Sequence, residues 1–449
     1  MINGKNSLKQ NSQIFWLVKG KHCLGSFLSV LLLLLFCTSP VAAAEPTITT
    51  LLQAVATQPD IAASALGVKA TDTQLQQAYA ELYPKISAFG SYSIFNSPTN
   101  LRPMAPTEVN VAAGESIPFS KQILRYGLRV EMPIFIKELY TLADKVKQLQ
   151  KASRAGHKLR LVTRQATVVA LDASLAFSAH LDKAIASRLA SLRKTRDDLQ
   201  LAVDNGRTPE SELLKVKTLL NDLQKQRNDL QRQVTSLTSQ IEQLTGIRLE
   251  HFVPIALQRQ VFGDNYLREE QQLAKVAAAE KGLQQAKEQR YPVLKLEGLL
   301  SENSGDAYNT DRSIDRSYDY IGVKLVLPLF NRSLHTAITQ ADIQLRREKQ
   351  QLSQLQIDLV ATAESLRQQL PLVDRSDELA RTNLKNKQQL LDIAKVAFRN
   401  GRMTTEEYLR FEAQVLDAEA ALYKTHVDRW KIISQQAVLY GDDLTGVVQ

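Results

Sequence analysis

The feature that most constrains this chain is the stretch between Pro133 and Gly206, which contains 72 residues and no proline. A mostly helical run of that size is on the order of 100 Å long, because each residue adds about 1.5 Å. No ordinary globular core contains a helix of that length. The stretch therefore predicts an extended helical element rather than a compact domain.

The arrangement around this stretch occurs twice in the chain. Its landmarks recur with a constant offset of 195 residues: Pro133, Gly206 and Gly246 become Pro328, Gly401 and Gly441. A constant offset means that the two arms around each Asn-Gly turn have equal lengths in both copies. The duplication predicts two equal antiparallel helical hairpins.

The N-terminal pattern predicts a signal peptide over residues 1–44, and the duplication predicts a first repeat over 45–250 and a second repeat over 251–449. Each repeat is expected to contain a helix, two strands, a long helix and a return helix. For the first repeat the predicted strands lie near 84–97 and 122–134, the long helix over 136–203 and the return helix over 209–244. For the second repeat the corresponding elements lie near 292–303 and 318–330, over 332–398 and over 405–439.

The N-terminal segment has the pattern of a secretory signal, with basic residues before an apolar run and a small-residue cleavage site that ends at Ala44. The alternative, an uncleaved anchor, is disfavoured because the apolar run from Phe27 to Phe36 is shorter than the ~20 residues needed to span a bilayer. The bulky Phe36 argues against lipidation at Cys37. Cys23 and Cys37 are the only cysteines, so the mature chain is expected to have none.

The hydrophobic pattern alternates with a period of two before each long helix. In the first repeat, apolar residues occupy every second position from Leu124 to Ile134, with Arg125, Gly127, Arg129 and Glu131 between them. Four such strands, arranged as two hairpins, fit a membrane barrel with an apolar outer face. The alternative is a soluble four-stranded sheet packed on a helix. Four strands cannot close a barrel, so a membrane protein built this way must oligomerise.

Composition favours helix and excludes several classes of function. Aromatic residues make up 6% of the chain and the net charge of +9 is spread along it, so no basic cluster indicates nucleic-acid binding. Phosphate-binding and catalytic motifs are absent, and the histidines are scattered, so we expect neither an enzyme nor a bound cofactor. The acids Asp306, Asp311, Asp315 and Asp319 match no calcium-loop spacing and are not expected to bind metal.

The ordered set of signal peptide, duplicated half, Tyr-Pro entry to a strand hairpin, long helix, Asn-Gly turn and returning arm resembles the TolC-like outer-membrane efflux proteins. The resemblance covers the mature chain. It implies a homotrimer in which each chain gives four strands to a twelve-stranded outer-membrane barrel, with the helices forming a periplasmic tunnel. It also implies passive conduction of substrates delivered by an inner-membrane pump through a periplasmic adaptor.

The resemblance places two sets of candidate residues at the periplasmic end. The tip turns, where an adaptor would dock, contain Asn205, Gly206, Arg207, Asn400, Gly401 and Arg402. The tunnel-entrance constriction would contain Glu212, Lys215, Glu407 and Arg410. In a trimer the carboxylates would raise one another's pKa. The alternative is an ordinary solvated helix surface, with Glu212 paired to Lys215 and Glu406 to Arg410.

Two positions depart from the pattern that some relatives use to lock the entrance with a Tyr and an Arg. Here Phe398 and Met403 occupy those positions. We therefore expect a mixed or anion-tolerant constriction. A rival hypothesis from another class is a periplasmic coiled-coil adaptor or scaffold that never enters the membrane, although no lipoyl-like domain is evident between the hairpin arms.

Overall fold

The structure is a computed structural model that describes residues 46–105, 107, 109, 114–261, 263 and 265–449. The predicted signal peptide lies outside the described residues. The described chain is mainly helical with one antiparallel sheet, which confirms the predicted fold class. Among the described residues, no helix combines the length and the apolar character that a membrane crossing requires.

The element order repeats itself, as the sequence predicts. The first half contains α1 (Ile48–Ala56), α2 (Pro59–Ala80), β1 (Lys85–Asn100), β2 (Phe119–Phe135), α3 (Lys137–Asp204) and α4 (Glu210–Thr245). The second half contains α5 (Leu267–Glu288), β3 (Val293–Asp306), β4 (Ser313–Val326), α6 (Arg332–Arg399), α7 (Thr405–Tyr440) and a short 3-10 turn (Leu444–Gly446). Both long helices have 68 residues and both return helices have 36, so the hairpin arms are equal.

One helix, α1, was not predicted. Its N-cap Thr47 accepts a hydrogen bond from the Thr50 backbone N–H at 3.3 Å. The apolar residues of α1 are fully buried against α3, α4 and the C-terminal segment, where they form the largest core cluster together with Val168, Ile241 and Leu444. The N-cap threonine and the spacing Ile48, Leu51, Leu52, Val55 were readable helix signals.

The four strands form one sheet in the order β1-β2-β3-β4. The two predicted hairpins are thus joined by the antiparallel pairing of β2 with β3, which brings the two repeats together. The last strand ends at Val326, four residues before the predicted end at 330. Pro328 explains the difference, because proline has no N–H to donate to a ladder. The equivalent Pro133 lies within β2 only where the register shifts.

The two faces of the sheet differ in composition, because one carries apolar side chains and the other carries polar ones. Apolar side chains on one face are exposed, with exposed fractions of 70% for Ile86, 78% for Ile321 and 62% for Val323. On the other face, polar side chains of β3 are buried, with exposed fractions of 8% for Ser301 and 3% for Asn303, whereas Ser87, Ser91 and Arg129 are exposed. A soluble sheet packed on a helix buries its apolar face instead, so this alternative is not what the chain forms.

The helices lie side by side in a single row rather than in a closed bundle. In the hairpin region α3 contacts α4 and α7, and α7 contacts α6, which gives the order α4-α3-α7-α6. Nearer the sheet α3 contacts α2 and α5, and α5 contacts α6, which gives α2-α3-α5-α6. Helix α3 is therefore interior throughout, whereas α6 lies at one end of the row along its whole length.

Gly127 on β2 tests the tight contact between β2 and β3. A Cβ at Gly127 would lie 2.0 Å from the backbone oxygen of Leu300, an atom that cannot move without breaking the ladder. We expect Gly127→Ala to destabilise the fold by more than the ~1–3 kcal/mol typical of overpacking. The midpoint of thermal unfolding measures this loss. Gly322→Ala is the control, because a Cβ there meets no atom within 4 Å. Equal unfolding midpoints for the two variants would contradict the tight contact between β2 and β3 at Gly127.

Candidate functional site

The two hairpin tips have the same backbone geometry. Gly206 ends α3 with φ of 63° and Gly401 ends α6 with φ of 67°, both in the left-handed region that favours glycine. At the first tip the Arg207 N–H donates to Ala202 O at 2.8 Å and the Gly206 N–H donates to Val203 O at 2.9 Å. These two bonds form a Schellman motif, which satisfies the last carbonyls of the helix.

The second tip repeats this motif. The Arg402 N–H donates to Ala397 O at 2.9 Å and the Gly401 N–H donates to Phe398 O at 3.0 Å. A Cβ at either tip glycine would meet no atom within 4 Å, so the backbone angle, not lack of space, selects glycine. Both turns leave their asparagine and arginine side chains exposed at the end of the molecule. The tips therefore present a small, rigid polar surface.

Lys215 connects the two hairpins near their tips. Its Nζ lies 2.9 Å from Glu212 Oε1 in the same helix and 3.8 Å from Glu406 Oε2 on α7. The hydrogen bond and negative charge of Glu212 raise the pKa of Lys215, with a smaller contribution from Glu406. The Glu212–Lys215 pair is the one that the solvated alternative expects, while Glu406 contacts Lys215 instead of the expected Arg410.

Glu407 has a local structural role in the single chain. Its carboxylate accepts hydrogen bonds from the Thr404 N–H at 3.0 Å and the Thr404 hydroxyl at 2.9 Å, and its own N–H donates to Thr404 Oγ1 at 3.2 Å. This capping box lowers the pKa of Glu407, and the positive charge of Arg410 lowers it further. The direction is opposite to that expected for carboxylates that repel one another across a tunnel.

The two tips differ because their N-cap residues differ. Thr404 caps α7, whereas Pro209 occupies the equivalent position before α4 and offers no side-chain oxygen. Glu212 therefore has no capping partner and pairs with Lys215. The structure thus divides the candidate constriction residues into the Glu212–Lys215 pair within α4, whose lysine also contacts Glu406 on α7, and a capped group at Glu407 and Arg410.

A buried polar cluster above the second tip was not predicted. The Tyr408 ring stacks on Phe398 with centroids 4.7 Å apart, and its hydroxyl donates to Glu412 Oε1 at 2.7 Å. Ser191 on α3 donates to the same oxygen at 2.6 Å. Burial raises the pKa of Tyr408 to about 12. The spacing of Tyr408 and Glu412 on one helix face was a readable signal, but the contact with Ser191, 221 residues away, was not.

Beside this cluster, a groove of about 580 Å³ runs between α3, α6 and α7 and is lined by His180, Arg188, Lys395, Glu412 and Tyr423 among others. Burial lowers the pKa of Arg188, opposed by the charge of Glu412. Within the described ranges no group of three or more His, Asp or Glu side chains is placed to hold a metal ion.

Comparison with known proteins identifies relatives for this architecture. Residues 270–429, from α5 through most of α7, match the family model described as outer membrane efflux protein. The resemblance to the TolC-like outer-membrane efflux proteins is confirmed. A comparison with curated proteins gives no match.

Solved structures with the same fold include three outer membrane proteins of low sequence identity. The Campylobacter jejuni CmeC outer membrane channel has a TM-score of 0.74 and 16% identity, covering 89% of this chain and 85% of its own. The Vibrio cholerae outer membrane protein VceC has a TM-score of 0.73 and 14% identity, and the match covers 89% of this chain and 96% of VceC. The open state of the Neisseria gonorrhoeae MtrE outer membrane channel has a TM-score of 0.71 and 13% identity, and the match covers 90% of this chain and 91% of MtrE.

The capping box predicts a difference between the tips. Thr404→Ala removes the cap of α7, a loss of about 1 kcal/mol, so amide hydrogen exchange in the first turn of α7 should accelerate about fivefold. Pro209→Ala at the equivalent place in α4 is the control and should change exchange little, because Pro209 makes no side-chain cap. Unchanged exchange in the Thr404 variant would contradict the capping role.

The same box predicts a pH dependence. The pKa of Glu407 is lowered in the folded chain, so its contribution is present above the unfolded value of 4.5 and is lost as pH falls through the folded pKa. Exchange in the first turn of α7, corrected for its intrinsic pH dependence, should therefore accelerate in acid. The Glu407→Gln variant should show no such acid transition, because the amide does not titrate.

Proposed function

We propose that this chain is a subunit of a trimeric outer-membrane channel-tunnel that serves a tripartite efflux or type I secretion system. The observation that carries the proposal is the sheet, which exposes an apolar face, carries polar residues on its other face and leaves both edge strands open. An apolar outward band and a polar interior are the signature of a membrane barrel. The match to outer membrane efflux proteins supports the same efflux channel role.

The open edges support a closed ring. The sheet ends in β1 from the first repeat and β4 from the second, and the helical row near the tips ends in α4 and α6 from the same two repeats. A single rotation can therefore pair β4 of one copy with β1 of the next and pack α6 of the first copy on α4 of the second. Long open edges are otherwise aggregation sites, and closure removes them.

Helix α6 has an apolar stripe that no other element of the described residues covers. Its exposed residues Ile343, Ile357, Val360, Leu372, Leu379, Leu390, Ile393 and Val396 fall within a sector of about 120° when each residue is advanced by about 100°. A stripe of this width on a helix 68 residues long calls for a partner helix. In the ring, α4 of the neighbouring copy supplies it near the tips and α2 of that copy supplies it nearer the sheet.

The number of copies follows from the strands. Four strands are too few for an open barrel, which needs at least about eight. Three copies would give the twelve strands that the resemblance implies. The hairpins would then surround a tunnel about 100 Å long, because each long helix has 68 residues. Conduction through such a tunnel is passive, with energy supplied by an inner-membrane pump.

At the far end from the sheet, the tips are the surface available to a periplasmic adaptor. Asn205, Gly206, Arg207, Asn400, Gly401 and Arg402 form rigid exposed turns at the end of each hairpin. The entrance next to them combines Glu212 and Glu407 with Lys215 and Arg410. Because each acid is near a base or used in a cap, we propose a mixed, anion-tolerant entrance.

The rival proposal is a coiled-coil adaptor or scaffold in the periplasm. It accounts for the long hairpins but leaves the exposed apolar sheet face unexplained. A purified protein that stays monomeric and soluble without detergent would favour this rival.

The ring arrangement predicts a specific cross-link. Leu214 on α4 and Ile393 on α6 lie at similar heights above their tip glycines, on opposite ends of the helical row, and are 52% and 66% exposed. The variant Leu214→Cys with Ile393→Cys should form disulfides between copies, giving dimers and trimers on denaturing gels without reductant. Each single-cysteine variant is the control and should give no such series. Bands larger than a trimer, or none, would contradict the ring of three.

The channel itself is tested by single-channel recording of the mature protein in a planar lipid bilayer. Discrete conductance steps from a protein with the mass of a trimer are expected. At the entrance, Glu407→Gln should change the reversal potential in a salt gradient little. Strong cation selectivity that disappears in Glu407→Gln would contradict the mixed entrance, and absence of any step from the trimer would overturn the channel.

A further inference from the structure

The polar face of the sheet carries three arginines, which lie on neighbouring strands. Residues directly opposite one another on paired strands share a face. Arg129 is opposite Ser87 and Leu299, and Arg125 is opposite Ser91 and Asn303. Arg316 on β4 is opposite Asn303 and so lies in the same cross-strand row as Arg125. The three arginines thus form a band across the polar side, which we call the arginine band.

No carboxylate of the described strands lies within the arginine band. The rows from Arg129 to Arg125 otherwise contain only uncharged residues on this face, including Phe89, Gly127, Ser301 and Tyr318. The acids Glu302, Asp315 and Asp319 alternate with these residues and therefore belong to the opposite face. The positive charge is thus not balanced within these three rows, and the nearest acids on the same face are Glu131 and Glu297 in the next row toward the helices.

Each guanidinium is held by a neutral group, which fixes its position without removing its charge. Arg125 Nη2 donates to Asn100 O at 3.4 Å, and Arg316 Nη1 donates to Asp315 O at 2.8 Å. The Arg129 guanidinium lies over the Phe89 ring, 5.5 Å from its centroid. In contrast, the next two rows toward the helices are mixed, with Glu297 of the first row 3.3 Å from Lys324 of the second.

A cavity of about 730 Å³ opens over this face and is lined by Arg125 and Arg129 together with Phe89, Leu299 and Tyr318 among others. Arginines at its wall provide charged hydrogen-bond donors, and the two apolar side chains provide a surface for a nonpolar group. This combination of a cationic wall and an apolar wall fits an organic anion. Rings of Arg or Lys are also what selects anions in pores.

We propose that the arginine band is an anion-selecting subsite at the barrel end of the channel, suited to organic anions that combine a charged group with an apolar body. The inference rests on the proposed channel, because only ring closure turns this face toward a lumen. Copies arranged around an axis would place the bands at one level and focus their positive potential across the pore. The mixed entrance at the tips would then admit anions that the band attracts.

Reversal potentials of the trimer in a planar bilayer under a potassium chloride gradient test this inference. The wild type should prefer chloride. The variant Arg125→Gln, Arg129→Gln, Arg316→Gln should shift the reversal potential toward potassium, while the matched Lys substitutions at the three positions keep the charge and should retain the preference. Arg129→Gln alone, at an exposed position, is a second variant that should give a smaller shift in the same direction.

Block of the current by naphthalene sulfonate tests the apolar wall as well as the charge. Half-block should need about tenfold more compound in the triple Gln variant, because a charge-assisted hydrogen bond is lost. Inorganic sulfate should block less than naphthalene sulfonate in the wild type. Conductance steps with unchanged selectivity and block in the Gln variants would overturn the arginine band while leaving the channel intact, whereas absence of steps in the wild type would overturn the channel.

Discussion

The structure depends on apolar surface that a single chain cannot cover. The exposed face of the sheet and the stripe along α6 are both long, regular and apolar, and neither packs against another element of the chain. Burying apolar area stabilises a protein by about 25 cal/mol per Å², so surfaces of this size require lipid or other copies. The largest core cluster lies where α1, the return helices and the C-terminal segment meet α3, and only this middle region resembles the interior of a globular protein.

The duplication gives the two hairpins the same lengths and the same turns, and single residue differences between the repeats make the two tips different. Equal helices and identical Schellman turns bring the two tips to the same form. A single change of residue, Pro209 against Thr404, then determines whether the glutamate three positions later pairs with a lysine or caps its own helix. Because Lys215 contacts Glu406 as well as Glu212, the uncapped hairpin is also the one that connects to its neighbour.

Local patterns made most of the fold predictable. The Asn-Gly turns, the proline-free stretch before Gly206 and the alternation around Leu124 each specify structure within a few residues, and the structure has the corresponding elements. Pairings between distant residues were not predictable in this way. Lys215 and Glu406 are far apart in the chain, and the burial of Glu412 depends on Ser191 of another helix. The capping box joins Thr404 and Glu407, which are three residues apart, so it could be predicted from local sequence. The expected lumen role of that glutamate came from the family resemblance.

The arginine band illustrates how register creates a property that no strand has alone. Arg125 and Arg129 alternate visibly on β2, yet Arg316 joins them only because β3 places Asn303 between Arg125 and Arg316. A slip of one residue in the β3–β4 pairing would turn Arg316 to the apolar face and bring Asp315 or Ser317 to the band instead. Gly127 lets β3 approach β2 where a side chain would collide with Leu300, so it supports the β2–β3 pairing that places Asn303 opposite Arg125.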